Sequence, residues 1–233
     1  MIVSHRFRLI FVKTRKTAGT SIETYLSKHC APDDVVSKVK PPEAGHEPRN
    51  YRGLFNPLPE ILDSGGRRAV RSVWQLLRRR RFLGMLPAYV VRGRLPRAVW
   101  DGYYKFSVDR NPWDKVVSAY WFQTRERGVR LDFDAFLESD RTARLSDYPM
   151  YTDPRSGESL VDRVIRFESL DRELGEVFAR CGVPWDGRLR ERAKGGYRKD
   201  RRPYQELYDE RSRLRVAQLF AREIELLGYG FDG

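Results

Sequence analysis

The chain has 233 residues, 40% of them hydrophobic and 12% aromatic, which excludes intrinsic disorder and supplies ample apolar material for a core. No stretch has the apolar length of a membrane span, and two cysteines, Cys30 and Cys181, are too few for a disulfide framework. The formal charge of +13 favours anionic partners without choosing among nucleotides, nucleic acid, acidic glycans and lipid headgroups.

Met1 to Arg6 enters a strand pattern almost at once and leaves no room for a signal peptide, so a cytoplasmic location is expected. The apolar run Leu9 to Val12 leads into Lys13-Thr14-Arg15-Lys16-Thr17-Ala18-Gly19, after which Ile22, Tyr25, Leu26 and His29 recur at helical spacing. Thr20 to Glu23 reads as a capping box, which starts the helix at Thr20 or Ser21. A strand, a short polar loop with a glycine and a helix start together build an anion site. Backbone N–H groups and the positive helix end face the loop, Lys16 adds a charge, and Thr20 and Ser21 add hydroxyl donors. The same residues also fit an ordinary strand-to-helix turn with a solvated lysine. They do not fit a nucleotide triphosphatase loop, because Lys16 precedes Gly19.

Ala31 to Gly66 is rich in Pro and Gly and too long for a plain connection, so it reads as a functional excursion; it holds His46. Arg67 to Arg81 has helical spacing, with Val70, Val73, Trp74 and Leu77 as one apolar stripe and arginines on the other faces. The arginine faces suit solvent, an acidic-acceptor groove or a membrane surface. Leu86 to Arg94 fits either element type, and Pro96 to Trp100 reads as a short helix.

Tyr103 to Asp109 is a strand pattern ending at Arg110-Asn111-Pro112-Trp113-Asp114, where Asn111 is a good N-cap and Pro112 suits the first helical position. The helix turns Val116, Val117, Tyr120 and Trp121 inward and carries Ser118 eight residues after Arg110. In an open parallel sheet, two such strand-loop-helix units lie side by side at the carboxyl edge, where ligands bind. Arg110 there meets either an anion or a nearby carboxylate.

A helix over Leu131 to Leu145 should bury Phe133, Phe136 and Leu137. Val161 to Phe167 is a third strand pattern, ending at Glu168. Ser169 caps a helix through Leu170, Leu174, Val177, Phe178 and Cys181, which Gly182 and Pro184 stop. Both cysteines thus fall in helical patterns and are expected as buried free thiols. Lys194 to Arg202 is a basic loop, and a last helix from Glu210 to Leu227 should bury Leu214, Ala217, Phe220, Ile224 and Leu227, with Gly228 ending it.

Taken in order and over most of the chain, these segments resemble sulfotransferases that use 3′-phosphoadenosine 5′-phosphosulfate (PAPS). Phe11 to Glu23 resembles the family's 5′-phosphosulfate loop. Phe106 to Tyr120, with Arg-Asn-Pro-Trp-Asp and the later Ser118, resembles its 3′-phosphate motif. Ile165 to Leu170 resembles its third-strand signature, and Tyr204 to Phe231 its terminal helix. The resemblance implies a three-layer α/β sandwich with a central, mainly parallel sheet flanked by helices and a P-loop-like nucleotide-binding topology. It implies one domain over residues 1–233, with an acceptor-binding insertion at about 31–100.

By the same resemblance, Lys16 would contact the bridging oxygen and sulfuryl group, and backbone N–H groups from Thr17 through Ala18, Gly19 and Thr20 to Ser21 would hold the 5′-phosphate. Arg110 and Ser118 would hold the 3′-phosphate, and Arg198 would close the basic loop over the nucleotide. The chain departs from the family pattern at three positions. Arg15 stands where relatives often carry Pro and would add a phosphate contact; Ala18 stands where they often carry Gly; Asp109 replaces an apolar residue.

The acceptor hydroxyl or amine needs a base, for which His46 is the first candidate and Glu43 or Glu47 the alternatives. No His/Cys/Asp ligand cluster appears, so no metal is expected. The implied product nucleotide is 3′-phosphoadenosine 5′-phosphate, and the acceptor is a glycan, a lipid or a small metabolite, with peripheral membrane contact possible and nucleic acid not expected. Two other readings compete: a basic nucleic-acid-binding protein, motivated by the charge, and a P-loop kinase using ATP.

Overall fold

Alternating side chains divide the central sheet into two apolar faces. Strand β1 (Ile2–Ser4) runs antiparallel to β2 (Leu9–Val12), with Ile2 opposite Phe11. β3 (Val35–Val36) adds antiparallel to β1, β4 (Tyr104–Asp109) adds parallel to β2, and β5 (Arg163–Arg166) adds parallel to β4. The order is β3-β1-β2-β4-β5. This computed structural model describes residues 1–63, 66–126, 128, 130–190, 200 and 202–233, with backbone alone at 63, 66–68 and 126.

The sheet is mixed, with β1 alone running against the other four strands. Reversal of β1 makes its pairings with β2 and β3 antiparallel, and only the β2–β4 and β4–β5 pairings are parallel. The turn between β1 and β2 gives no sequence signal, since its left-handed residue is Arg8 (φ 48°) rather than glycine.

One face of the sheet presents Leu9, Phe11, Phe106 and Val108 to α1 (Gly19–His29). Phe11 and Phe106 stack with ring centroids 4.9 Å apart. Burying each such side chain contributes about 1.5–3 kcal/mol. Between β3 and β4 the chain forms α2 (Leu58–Asp63), α3 (Gly66–Leu77), α4 (Ala88–Arg94) and α5 (Arg97–Gly102). Val90 and Val91 of α4 and Trp100 of α5 cover the opposite face, over Val3, Ile10 and Val12.

After β4 comes α6 (Pro112–Glu126), whose start is capped as expected: Trp113 N–H donates to Asn111 Oδ1 at 3.2 Å. The helix expected over Leu131 to Leu145 is two pieces, α7 (Phe133–Glu138) and α8 (Asp140–Ala143), broken at the extended Ser139; Phe133 is only half-buried. The short α9 (Tyr148–Tyr151) sets Met150 and Tyr151 against the second face. α10 (Leu170–Cys181) returns to the first face and ends on left-handed Gly182. The terminal helix breaks at Phe220 into α11 (Glu210–Leu219) and α12 (Ala221–Leu227), because Phe220 turns into the cluster with Trp113, Val116 and Phe136. Leu214 is exposed, against expectation. Helices on both sides of the five-stranded sheet make the three-layer α/β arrangement.

The orientation of α3 is set by its polar residues. Its apolar stripe points outward, with Val70 at 70% and Leu77 at 76% exposure. The polar face points in, where Ser72 and Gln75 meet a buried ion pair between Glu60 and Arg94. The thiols are also not fully buried: Cys30 and Cys181 are free and half-buried, with burial pushing the Cys30 thiol up to about 12. Among the described residues, no helix is long and apolar enough to cross a membrane.

Candidate functional site

The carboxyl ends of β2 and β4 are adjacent in the parallel pair, so the loops that follow them open into one space. That space is a cleft of about 1490 Å³. Its walls carry thirteen Lys and Arg side chains against two carboxylates, Glu168 and Asp171. Arg15, Lys16, Thr17, Ala18, Gly19, Thr20, Ser21, Arg110 and Ser118 all line it. The two distant segments touch, with Arg110 Nη1 donating to the Lys16 carbonyl at 3.2 Å.

Several contacts set the shape of the first loop. Thr14 Oγ1 donates to the Val108 carbonyl on β4 and meets Thr17 Oγ1 at 2.8 Å, tying the loop to the neighbouring strand. Lys16 (φ 59°) and Ala18 (φ 55°) both take left-handed backbone conformations, which glycine adopts more easily. The helix then begins at Gly19, with Ala18 as its N-cap and no capping side chain. The expected capping box does not form. Glu23 instead accepts from Lys13 Nζ, from Ser37 Oγ and from the Met1 amine, all in the interior. Lys13 lies across Gly19 so closely that a Cβ there would stand 2.7 Å from its Cγ. With no capping side chain, the first-turn N–H groups of α1 lie at the cleft wall, where the helix field favours an anion.

Arg110 is held from two sides. Its Nε and Nη2 donate to Asp114 Oδ2 at 2.9 and 2.6 Å, and its guanidinium lies 4.3 Å from the Phe167 ring centre. Both alternatives for Arg110 are thus partly met: it pairs with a carboxylate and also lines the cleft. Lys16 Nζ stands 4.3 Å from the Phe122 ring centre. Asn111 N–H donates to Glu168 Oε1 at 2.7 Å, which fixes the end of β5 against the start of α6.

Arg15 and Asp109 are joined through one network whose centre is buried. Lys115 is fully buried between Asp109 Oδ1 and Asp147 Oδ2, at 2.7 Å from each. Asp109 also accepts from Tyr151 Oη at 2.8 Å and from the Arg110 N–H at 2.8 Å. Asp147 accepts from the Arg15 N–H at 2.8 Å and from Arg15 Nη1 at 2.6 Å. Burial raises the Asp109 carboxyl above its ordinary value, while Lys115 opposes that rise. Burial pulls the Lys115 ammonium down, but the two carboxylates outweigh it and hold it at about 12. Asp109 thus holds the Arg110 backbone, and Asp147 holds the Arg15 backbone and side chain.

His46, Glu43 and Glu47 do not line the cleft. His46 is half-buried, and its Nε2 has no hydrogen-bond partner among the described residues. Burial, followed by neighbouring positive charge that includes Lys13, lowers the imidazole to about 4. Glu47 pairs with Arg49 at 2.9 Å. Arg198 lies outside the described residues, as does most of the basic loop around it. Sequence reasoning did not single out Lys13, Lys38, Lys40, Arg141 or Arg144, all of which line the cleft. Lys13 sat in plain view, but reading Glu23 as a cap hid their ion pair. Among the described residues, no group of three His, Cys, Asp or Glu side chains is placed to hold a metal.

No family model matches the chain. The crystal structure of a sulfotransferase from Alicyclobacillus acidocaldarius is similar over 92% of this chain and 95% of its own, at 17% identity and a TM-score of 0.35, a likeness too slight to argue from. A protein from Archaeoglobus fulgidus, described as uncharacterized, is 35% identical over 118 residues, which make up 49% of this chain and 98% of that protein. At that identity over nearly the whole relative, the chain belongs to the same family as the archaeal protein.

Proposed function

We propose that the chain is a sulfotransferase that takes its sulfuryl group from PAPS and passes it to a hydroxyl or amine of a glycan, lipid or small metabolite. The observation that carries this reading is the contact between the Arg110 guanidinium and the Lys16 carbonyl inside one cationic cleft. Two motifs 94 residues apart, each resembling a different phosphate site of the family, stand at the same sheet edge. The donor set fits a ligand with two separated phosphate groups: cations and helix-start N–H groups on one side, Arg110 and Ser118 on the other.

When bound, PAPS supplies a sulfuryl group whose bond to the 5′-phosphate breaks as the acceptor attacks sulfur. Lys16 and the start of α1 would stabilise the negative charge that builds on the departing phosphate. Arg110 and Ser118 would anchor the 3′-phosphate and so orient the nucleotide, with Asp114 and Phe167 fixing the guanidinium plane. Arg15, fixed by Asp147, would add a further contact. With His46, Glu43 and Glu47 away from the cleft wall, the acceptor's proton would go to one of the cleft carboxylates, Glu168 or Asp171. Glu168→Gln or Asp171→Asn should then lower turnover by about 10²–10⁴, and His46→Ala should leave it unchanged.

The binding step is tested by calorimetric titration with 3′-phosphoadenosine 5′-phosphate. Lys16→Ala and Arg110→Ala should each weaken binding about ten- to a hundredfold, the range of one or two charge-assisted hydrogen bonds. Wild-type affinity in both variants, or stronger binding of ATP than of the bisphosphate, would overturn the proposal.

A further inference from the structure

We propose that the α2–α3 helix pair docks the protein on an anionic lipid bilayer. Leu58 and Leu62 of α2 and Val70, Val73, Trp74 and Leu77 of α3 are all exposed and lie on two helices packed against each other. Leu62 reaches 80% exposure. Single exposed apolar residues are ordinary, but a contiguous set on two paired helices marks an interaction surface.

The outward orientation is built in. Arg94, with its side chain 1% exposed, donates to Glu60 from Nε at 2.6 Å and from Nη2 at 2.7 Å. The same Nη2 donates to Gln75 at 2.9 Å, and Ser72 donates to Glu60. This buried ion pair locks the polar sides of α2 and α3 inward, so rotating the stripe into the core would strand charges without partners.

The surroundings choose the occupant. Arg78 lies 3.9 Å and Arg80 5.5 Å from the Trp74 ring centre, and Arg71 and Arg80 also line the cationic cleft. A tryptophan and leucines flanked by arginines match the headgroup boundary of a membrane, where apolar side chains enter and guanidinium groups meet phosphate. A second copy of the chain fits poorly. A two-fold contact through this face would bring each arginine rim against its own image, on a protein of formal charge +13. Docking on lipid places the mouth of the cleft at headgroup level. This inference does not depend on the identity of the nucleotide.

The test is co-sedimentation of the full chain with vesicles of phosphatidylcholine containing about 30% phosphatidylserine, against pure phosphatidylcholine, at low salt and at about 0.5 M salt. The chain should bind the anionic vesicles with a blue shift of tryptophan emission, and part of that binding should survive the salt. Leu62→Ser/Leu77→Ser should weaken binding at least tenfold, and Arg78→Gln about fivefold. Trp74→Phe should remove the blue shift. All four side chains are on the surface, so melting curves should match wild type and show that each variant is folded.

Absence of vesicle binding, equal binding to neutral vesicles, or binding indifferent to Leu62→Ser/Leu77→Ser would overturn the proposal, the last by reducing it to general attraction of a basic protein. A dimer in sedimentation that Leu62→Ser/Leu77→Ser dissolves would also overturn it, by giving the face to a second copy.

Discussion

Lys115→Met removes the cation shared by Asp109 and Asp147 and keeps most of the side-chain volume. Holding the ammonium at about 12 rather than 10.5 corresponds to about 2 kcal/mol in favour of folding near neutrality. Because the folded value is raised, this contribution is complete below 10.5 and is lost as pH rises toward 12. The substitution also leaves two buried carboxylates facing each other, which brings the expected loss to about 3–5 kcal/mol. For a chain of this length that is roughly 6–20 °C in Tm. Asp109, already raised by burial, would take up a proton and soften the loss. Urea denaturation near pH 7, followed by tryptophan fluorescence, measures it. Adding Asp109→Asn to the variant should recover roughly half, because one of the stranded charges is then gone. Stability within about 1 kcal/mol of wild type, or no recovery in the double variant, would show that the network does not hold the structure as described.

Ala18→Gly should raise stability by a few tenths to about 1 kcal/mol in thermal melts, since glycine relieves the left-handed conformation at φ 55° and loses part of that gain to its own flexibility. His46 is neutral in both states above pH 6.5, whereas below that the unfolded chain takes up the proton first, so stability should fall as pH drops from 6.5 to about 4. Half-exposure limits the loss to about 1 kcal/mol, and His46→Ala should flatten that part of the pH–stability curve. Arg94→Met strands Glu60 in the interior and should cost about 3–5 kcal/mol within the helix pair, read as faster proteolysis between residues 58 and 77.

The sheet strands that carry the cleft were legible because their signals are local. Leu9 to Val12 and Tyr104 to Asp109 are compact β-forming runs, each followed by a loop and a helix start, and the parallel sheet brings their ends together without further information. The capping residue Asn111 and the stop at Gly182 obeyed the same local rules. What escaped was settled by partners far along the chain. Glu23 fits a capping box by spacing, yet Lys13 and Ser37 draw it inside. The stripe on α3 has the periodicity of a buried face, yet Arg94 and Glu60 reverse it, and no window of residues around α3 shows that pair. Asp109 looked like a misfit in an apolar strand until Lys115 and Tyr151 gave it partners, one in the first turn of the next helix and the other 42 residues away.

Glu223 on α12 accepts from Ser146 Oγ at 2.6 Å and from the backbone N–H groups of Asp147 and Tyr148 at 3.0 and 3.1 Å. Asp147 in turn holds Arg15. During translation, residue 15 therefore leaves the ribosome about 10–40 s before the carboxylate that finishes its surroundings, at the usual rates of chain elongation. The earliest cleft segment must wait, incompletely folded and strongly basic, for nearly the entire remaining chain to be made. A nascent chain arrested before α12 should expose this segment to anionic ribosomal RNA, and release of the arrest should withdraw it.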